Sequence, residues 1–238
     1  GLAMDFGLLG DVLLDRGAVQ EAGGAYQQMM DLKPDSHAYM RAAVFRFMVG
    51  DVEAASRLAE IATRAVSPRQ KEAYAWVWAQ RARYLFELRD YDAALLSTRH
   101  ALSRVPASAP VLYQQGRILL AMGDAVSAVD SLSHAAEIAP SPDTVWALSE
   151  ALDEAGEAGA AKETRGQLLA KLQSPDSRGL ALFLASHGIQ VDRSIDLARA
   201  ELKQRQDLYS WDVLAWALRA RGDLEGARRA IQKSLEVG

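Results

Sequence analysis

The stretch LYQQGRILLAMGDAVSAVDSLSHAAEIAP, residues 112–140, contains the pattern on which the fold depends. Two segments with apolar residues at helical spacing flank the pair Gly123-Asp124. Glycine suits the end of the first segment because a helix-capping residue prefers a left-handed backbone. Aspartate suits the start of the second segment, where it faces the positive end of the helix dipole, and Pro140 marks its end. The stretch therefore predicts two amphipathic helices joined by a short turn.

The same turn recurs along the whole chain, at intervals of 33, 39, 34, 33, 32 and 34 residues. The seven turn positions are Gly17, Gly50, Arg89, Gly123, Gly156, Gly188 and Gly222. Seven residues before each turn the side chain is small, and five residues after it six of the seven copies have alanine, with Arg193 as the exception. Small residues at fixed offsets let the two helices of a hairpin approach closely. The longest interval adds about five residues near Ser67–Ala73, so we expect a longer second helix in the second hairpin or a longer loop after it.

This repeat resembles the tetratricopeptide repeat family, whose units have about 34 residues. The matching residues are Leu9, Gly10, Leu13, Ala22, Tyr26 and Pro34 in the first unit, Trp78, Ala82, Leu85, Ala94, Ala101 and Pro106 in the third, and Trp211, Leu214, Ala215, Leu218 and Ala227 in the last. The resemblance implies an all-α chain, a right-handed α-α superhelix (solenoid) of about seven helical hairpins. We expect a single domain over 1–238, with units near 3–35, 36–74, 75–108, 109–141, 142–173, 174–207 and 208–238.

Composition excludes several classes of function. The net charge is −4 and the pI about 5.6, whereas nucleic-acid binders usually have a basic excess. There is no cysteine, which removes disulfides and thiolate metal sites and is compatible with either the cytoplasm or the periplasm. The chain has no asparagine and more arginine than lysine, a bias typical of GC-rich bacterial genomes. No apolar run is long enough to span a bilayer and no signal peptide is visible, although Gly1 in place of methionine indicates a trimmed N-terminus.

Residue patterns for catalysis, metal binding or a cofactor are not found in the sequence. There is no G-x-S-x-G elbow, Walker loop or H-E-x-x-H motif. His134 and Glu137 have the spacing of a ligand pair, but such a pair is more often a solvated helix face. The acidic residues from Asp143 to Glu157 are likewise more typical of a charged surface than of an acid–base pair. We therefore expect a binding protein and not an enzyme, with no metal and no cofactor.

The resemblance also implies a ligand groove, because in tetratricopeptide arrays the first helix of each hairpin lines a concave surface. The residues expected on that surface are Arg41, Trp76, Gln80, Arg83, Tyr113, Arg117, Trp146 and Glu150. Arginine offers paired donors to carboxylates and aromatic rings supply rigid contact area, so we expect an acidic peptide or protein segment as the ligand. The competing interpretation is that Arg83 and Arg117 form ion pairs with Glu150 and its neighbours inside the array.

Two other classes of function remain open at this point. An RNA-binding helical-repeat protein would have units of similar length, but the acidic pI and the missing asparagines argue against it. A regulatory module of a larger enzyme would have the same repeat. The last helix has the apolar residues Ala230, Ile231 and Leu235, and no polar capping helix follows in this sequence. We therefore expect either self-association through this helix or a cover supplied by residues beyond Gly238.

Overall fold

The computed structural model describes residues 1–171 and 177–237, and over these residues it contains helices and no strand. The helices pair in chain order, each pair joined by one of the short turns that the sequence predicts. Their bounds are α1 Leu2–Asp15, α2 Val19–Leu32, α3 Ser36–Met48, α4 Val52–Ala65, α5 Lys71–Glu87, α6 Tyr91–Leu102, α7 Ala109–Ala121, α8 Ala125–Ile138, α9 Pro142–Glu154, α10 Ala158–Lys171, α11 Ser177–Ser186, α12 Val191–Gln204, α13 Leu208–Ala220 and α14 Leu224–Val237. The predicted all-α class with about seven hairpins is confirmed.

The turn positions have the left-handed backbone that the glycine pattern predicts. All seven have positive φ, from 61° at Arg89 to 87° at Gly222. At the fourth turn the backbone N–H of Asp124 donates to the Leu119 carbonyl at 2.9 Å, which closes the end of α7. The Asp124 carboxylate in turn accepts from the Ser127 N–H at 3.1 Å and caps the start of α8. One Gly-Asp pair therefore ends one helix and begins the next.

The small residues lie where paired helices touch. Ala82, Ala94 and Ala128 are fully buried. A Cβ atom added to Gly116 would lie 2.4 Å from Cγ of Leu132, which no side chain tolerates without movement. The predicted role of small residues as close-contact positions is therefore confirmed.

The chain forms two compact units, Gly1–Arg165 and Gly166–Gly238. In the first unit each hairpin packs on the next, and the first helices α3, α5, α7 and α9 also contact one another in order. In the second unit the helices α11 to α14 enclose their own apolar core, which includes the fully buried Ile195 and Ala217. The single domain over 1–238 and its repeat boundaries stay a prediction, and the boundary at 173/174 lies outside the described residues.

Two irregularities of the repeat have a visible structural basis. The long 39-residue interval is taken up by the loop 66–70 and by α5, which has 17 residues, while α4 keeps an ordinary length of 14. In the sixth hairpin Gln190 also has a left-handed backbone, with φ 45°, so the turn is one residue longer than the others. Ser194, and not Arg193, therefore takes the buried position, and its hydroxyl donates to the Ala181 carbonyl at 2.6 Å.

Candidate peptide-binding face

All eight residues predicted to contact a ligand lie on α3, α5, α7 and α9, within the first compact unit. These four helices contact each other side by side, so their residues share a surface, which we call the first-helix face. On α5, Trp76, Gln80 and Arg83 are spaced four and three residues apart and therefore point the same way. Trp76 and Arg83 are exposed, while Gln80 between them is half-buried.

Arg41 is already engaged by a residue of the preceding hairpin. Its Nη2 and Nε atoms donate to Oδ2 of Asp11 at 3.0 and 3.2 Å. The hydroxyl of Tyr26 donates to the same carboxylate at 2.9 Å, and burial together with this acceptor raises the pKa of Tyr26. The cation of Arg41 is therefore neutralised and held in place before any ligand arrives.

An open pocket of about 340 Å³ brings Arg41 and Trp76 together. Its wall is completed by Asp11, Tyr26, His37, Met40 and Val44. The Trp76 ring is 48% exposed, although such a large apolar side chain would normally be covered. The predicted residues Arg41 and Trp76 thus line one cavity with an apolar character.

Arg83 and Arg117 have a different arrangement, and it is the same in both. The guanidinium carbon of Arg83 lies 4.5 Å from the ring centre of Phe47, on the preceding hairpin. That of Arg117 lies 4.9 Å from the ring centre of Phe86, again on the preceding hairpin. Each arginine stands six residues before its turn, and each phenylalanine stands three residues before the preceding turn. Sequence reasoning missed the two phenylalanines, although their equal offsets are a signal that could have found them.

Within the described part of the chain the two arginines have no acidic partner, although Arg117 also interacts with the Tyr113 hydroxyl. Among the residues that the structure describes, neither Arg83 nor Arg117 lies within ion-pair distance of a carboxylate, so the predicted alternative of pairing with Glu150 is not seen. Both side chains are exposed. Tyr113 packs beside Arg117, with a ring centre 5.8 Å from the guanidinium carbon. Burial raises the pKa of Tyr113 and the nearby Arg117 opposes that rise, so the ring stays a neutral wall.

The last two predicted residues bind each other and offer less to a ligand. Trp146 is only 8% exposed, and its indole Nε1 donates to Glu150 at 2.7 Å. Arg165 covers the Trp146 ring at 5.1 Å and forms an ion pair with Asp153 at 2.6 Å. This end of the first-helix face is therefore acidic and largely satisfied within the protein.

The described residues contain no group of three or more histidine and acidic side chains close enough to hold a metal ion. His134 and Glu137 lie exposed on α8. Within the same residues, no helix is both long enough and apolar enough to cross a bilayer. The face therefore offers cations, aromatic rings, the apolar pocket at Trp76 and, at its α9 end, carboxylates.

Comparison with known proteins gives likeness in structure and none in sequence. No protein-family model matches the chain, and no curated protein matches it in sequence. Three solved structures that each cover more than nine-tenths of this chain illustrate the structural likeness.

PilF of Pseudomonas aeruginosa is 17% identical over 98% of this chain and 96% of its own, with a TM-score of 0.63. The C-terminal part of a TPR repeat-containing protein of Cytophaga hutchinsonii is 16% identical over 97% and 95%, with a TM-score of 0.57. IFIT1, solved with the capped oligonucleotide m7Gppp-AAAA, is 17% identical over 91% of this chain and 58% of its own, with a TM-score of 0.57. Together with the helix pairs described above, these likenesses show that the chain has the tetratricopeptide-repeat fold.

Proposed function

We propose that the chain is a binding protein, not an enzyme, and that its first-helix face holds an acidic peptide segment of a partner protein. The observation that carries this proposal is the pair of exposed guanidinium groups of Arg83 and Arg117, each stacked on a ring of the preceding hairpin. Stacking uses the flat side of a guanidinium and leaves its edge N–H donors pointing outward. A carboxylate accepts from two such donors at once, which makes it the best match for this surface.

A random library of 12-residue peptides displayed on phage tests this proposal. Selection on the wild-type protein should enrich aspartate and glutamate, because each stacked arginine favours a carboxylate. A chosen acidic peptide should bind Arg83→Gln/Arg117→Gln about tenfold more weakly, as measured by fluorescence anisotropy. Arg99→Gln removes an exposed arginine on α6, away from the first-helix face, and should leave binding unchanged. Equal affinity for the double variant and the wild type would contradict the proposal.

RNA binding is the second class that the same assay separates. One structural neighbour, IFIT1, was solved with a capped oligonucleotide, but the net charge of −4 leaves this chain without the basic excess that phosphate contacts need. We expect no binding of a labelled single-stranded RNA of 20 nucleotides at physiological salt. Tight, salt-dependent RNA binding that is lost in Arg83→Gln/Arg117→Gln would replace the peptide proposal with an RNA one. A regulatory module of a larger enzyme stays a prediction.

Self-association is proposed from the exposed side of the last helix. On α14, Leu235 is 74% exposed and Ile231 is 40% exposed, beside the half-exposed ring of Trp216. Exposed apolar side chains that lie close together often mark a contact with another protein chain. The mass measured by light scattering should therefore rise with protein concentration, and Leu235→Lys should suppress that rise. A constant monomer mass at every concentration in the wild type would rule the contact out.

A further inference from the structure

The first-helix face combines two kinds of recognition chemistry in a fixed order along the array. We infer that it reads one apolar side chain and two carboxylates, spaced three residues apart, on an extended segment with polyproline II geometry. This inference rests on the proposed function and adds the chemistry and spacing of the ligand. The parts of the face that would contact the ligand are the pocket at Trp76 and the two stacked arginines. The chemistry of each part favours a different ligand side chain.

The pocket favours an apolar side chain because Arg41, the arginine in its wall, is already paired with Asp11. Two nitrogens of Arg41 donate to Asp11, so a ligand carboxylate there would face a second carboxylate close by. The remaining wall is supplied largely by Met40, Val44 and the exposed Trp76 ring. A leucine-sized side chain that enters this cavity of about 340 Å³ removes apolar surface from water without displacing an ion pair.

Equivalent positions on successive helices give the order of the subsites. Val44, Arg83 and Arg117 each stand six residues before the turn of their own hairpin, on α3, α5 and α7. The helices α3 and α5 contact each other, as do α5 and α7. The apolar pocket lies between α3 and α5, because Val44 belongs to the first helix and Trp76 to the second, and the two cations follow on α5 and α7.

The separation of the helices selects the spacing of the ligand residues. Packed helices lie about 8–10 Å apart. A polyproline II segment repeats every three residues and advances about 3.1 Å per residue, so residues three apart point the same way at intervals of about 9 Å. A β-strand points alternate residues to one side at intervals of about 6.6 Å, and a helix advances only about 5.4 Å per turn. Of the three conformations, only the polyproline II repeat matches the interval from Arg83 on α5 to Arg117 on α7, and the apolar side chain then lies one repeat further, toward α3.

Stacking makes the two arginines suited to reading at a fixed interval. A free arginine samples many rotamers, and ordering it on binding costs free energy. Here the guanidinium carbons of Arg83 and Arg117 lie over the rings of Phe47 and Phe86 at equivalent places in successive hairpins. We expect these contacts to restrict both arginines in the unbound protein, which would penalise carboxylates at any other spacing.

Synthetic peptides of identical composition test the spacing. Each peptide has one leucine and two glutamates in a background of proline and glutamine. These three residues are placed two, three or four positions apart, and each spacing is made with the leucine first and with the leucine last. Fluorescence anisotropy should show about tenfold tighter binding for the interval of three in one direction. Replacing the glutamate nearer the leucine with glutamine should weaken binding to the wild type but not to Arg83→Gln. Trp76→Ala should make leucine and alanine peptides bind equally, while Arg99→Gln changes nothing.

The same binding measurements distinguish a failure of the predicted spacing from a failure of the proposed peptide-binding function. Equal affinity for all three intervals, with weaker binding to Arg83→Gln retained, would overturn the spacing and leave the peptide-binding function in place. A preference for the interval of four would overturn the extended geometry in favour of a bound helix. Affinity that neither Arg83→Gln nor Arg117→Gln lowers would overturn both this inference and the proposed function.

Discussion

Gly116→Ala should destabilise the wild-type protein but stabilise a protein in which Leu132 is already alanine. In the wild type the new Cβ would lie 2.4 Å from Cγ and 2.9 and 3.0 Å from the methyl carbons of Leu132. Overpacking of this kind costs about 1–3 kcal/mol, which exceeds the gain of about 1 kcal/mol from replacing a helical glycine with alanine. Leu132→Ala alone, at a side chain with no exposed surface, should cost about 2–5 kcal/mol.

The double variant reverses the sign because Leu132→Ala deletes all three of the atoms that the new methyl group would strike. Alanine at position 116 then gains helix propensity and fills part of the cavity. Urea denaturation of the wild type, both single variants and the double variant measures this coupling. Gly24→Ala is the matched control, since that glycine lies within α2 with no atom near its would-be Cβ, and it should stabilise both backgrounds equally. Equal effects of Gly116→Ala in both backgrounds would contradict the packing argument.

Tyr84→Phe should make the protein lose less stability between pH 9 and pH 11.5 than the wild type loses. Burial raises the pKa of Tyr84 to about 12, and its side chain is only 1% exposed, packed against Phe47 with ring centres 5.1 Å apart. The unfolded phenol ionises near its ordinary pKa of about 10. The contribution of the neutral Tyr84 to the free energy of unfolding is therefore fully present below about pH 10. It is lost as the pH rises, until the folded phenol ionises near pH 12.

The size of that loss follows from the two pKa values of Tyr84. A separation of two pKa units corresponds to about 3 kcal/mol of unfolding free energy, of which about 2 kcal/mol is lost by pH 11.5. Urea denaturation at both pH values measures it, and the difference between wild type and Tyr84→Phe isolates this residue from the general effect of alkali. Tyr209→Phe alters an exposed ring and should show the wild-type pH dependence. An identical loss in Tyr84→Phe and the wild type would show that Tyr84 does not contribute.

Features that depend on the backbone repeat were predictable from the sequence. The positive φ at Gly123 and the burial of Ala128 each follow from local geometry, because a turn or a close helix contact admits few residue types. Even Arg89, which breaks the glycine pattern, was placed correctly by its interval from the other turns. Arg193 was an exception to the alanine pattern that the sequence did not explain: a single additional left-handed residue, Gln190, moves the buried position to Ser194.

Contacts between hairpins were less predictable, because they depend on the rotation of one helix pair against the next. The sequence placed Arg41 among the ligand-binding cations, and the structure pairs it with Asp11, thirty residues earlier. Trp146 was expected to face a ligand and is instead covered, with its N–H held by Glu150. Spacing within a helix predicts which residues lie on the same side of it. It does not predict which residue of a neighbouring helix or turn forms a hydrogen bond or an ion pair with them.

The stacking of Arg83 on Phe47 and of Arg117 on Phe86 has a consequence for how such arrays change through evolution. In each pair the arginine, which we propose binds the ligand, and the aromatic ring beneath it belong to different repeats. Duplicating or exchanging one hairpin therefore separates them. A transplanted repeat would keep its arginine, but no ring would orient the guanidinium group. The exception is a new upstream hairpin that also has an aromatic residue three residues before its turn. In the proposed binding face, the unit that carries ligand binding is thus the contact between two hairpins, and grafting experiments should place their junctions within hairpins and not between them.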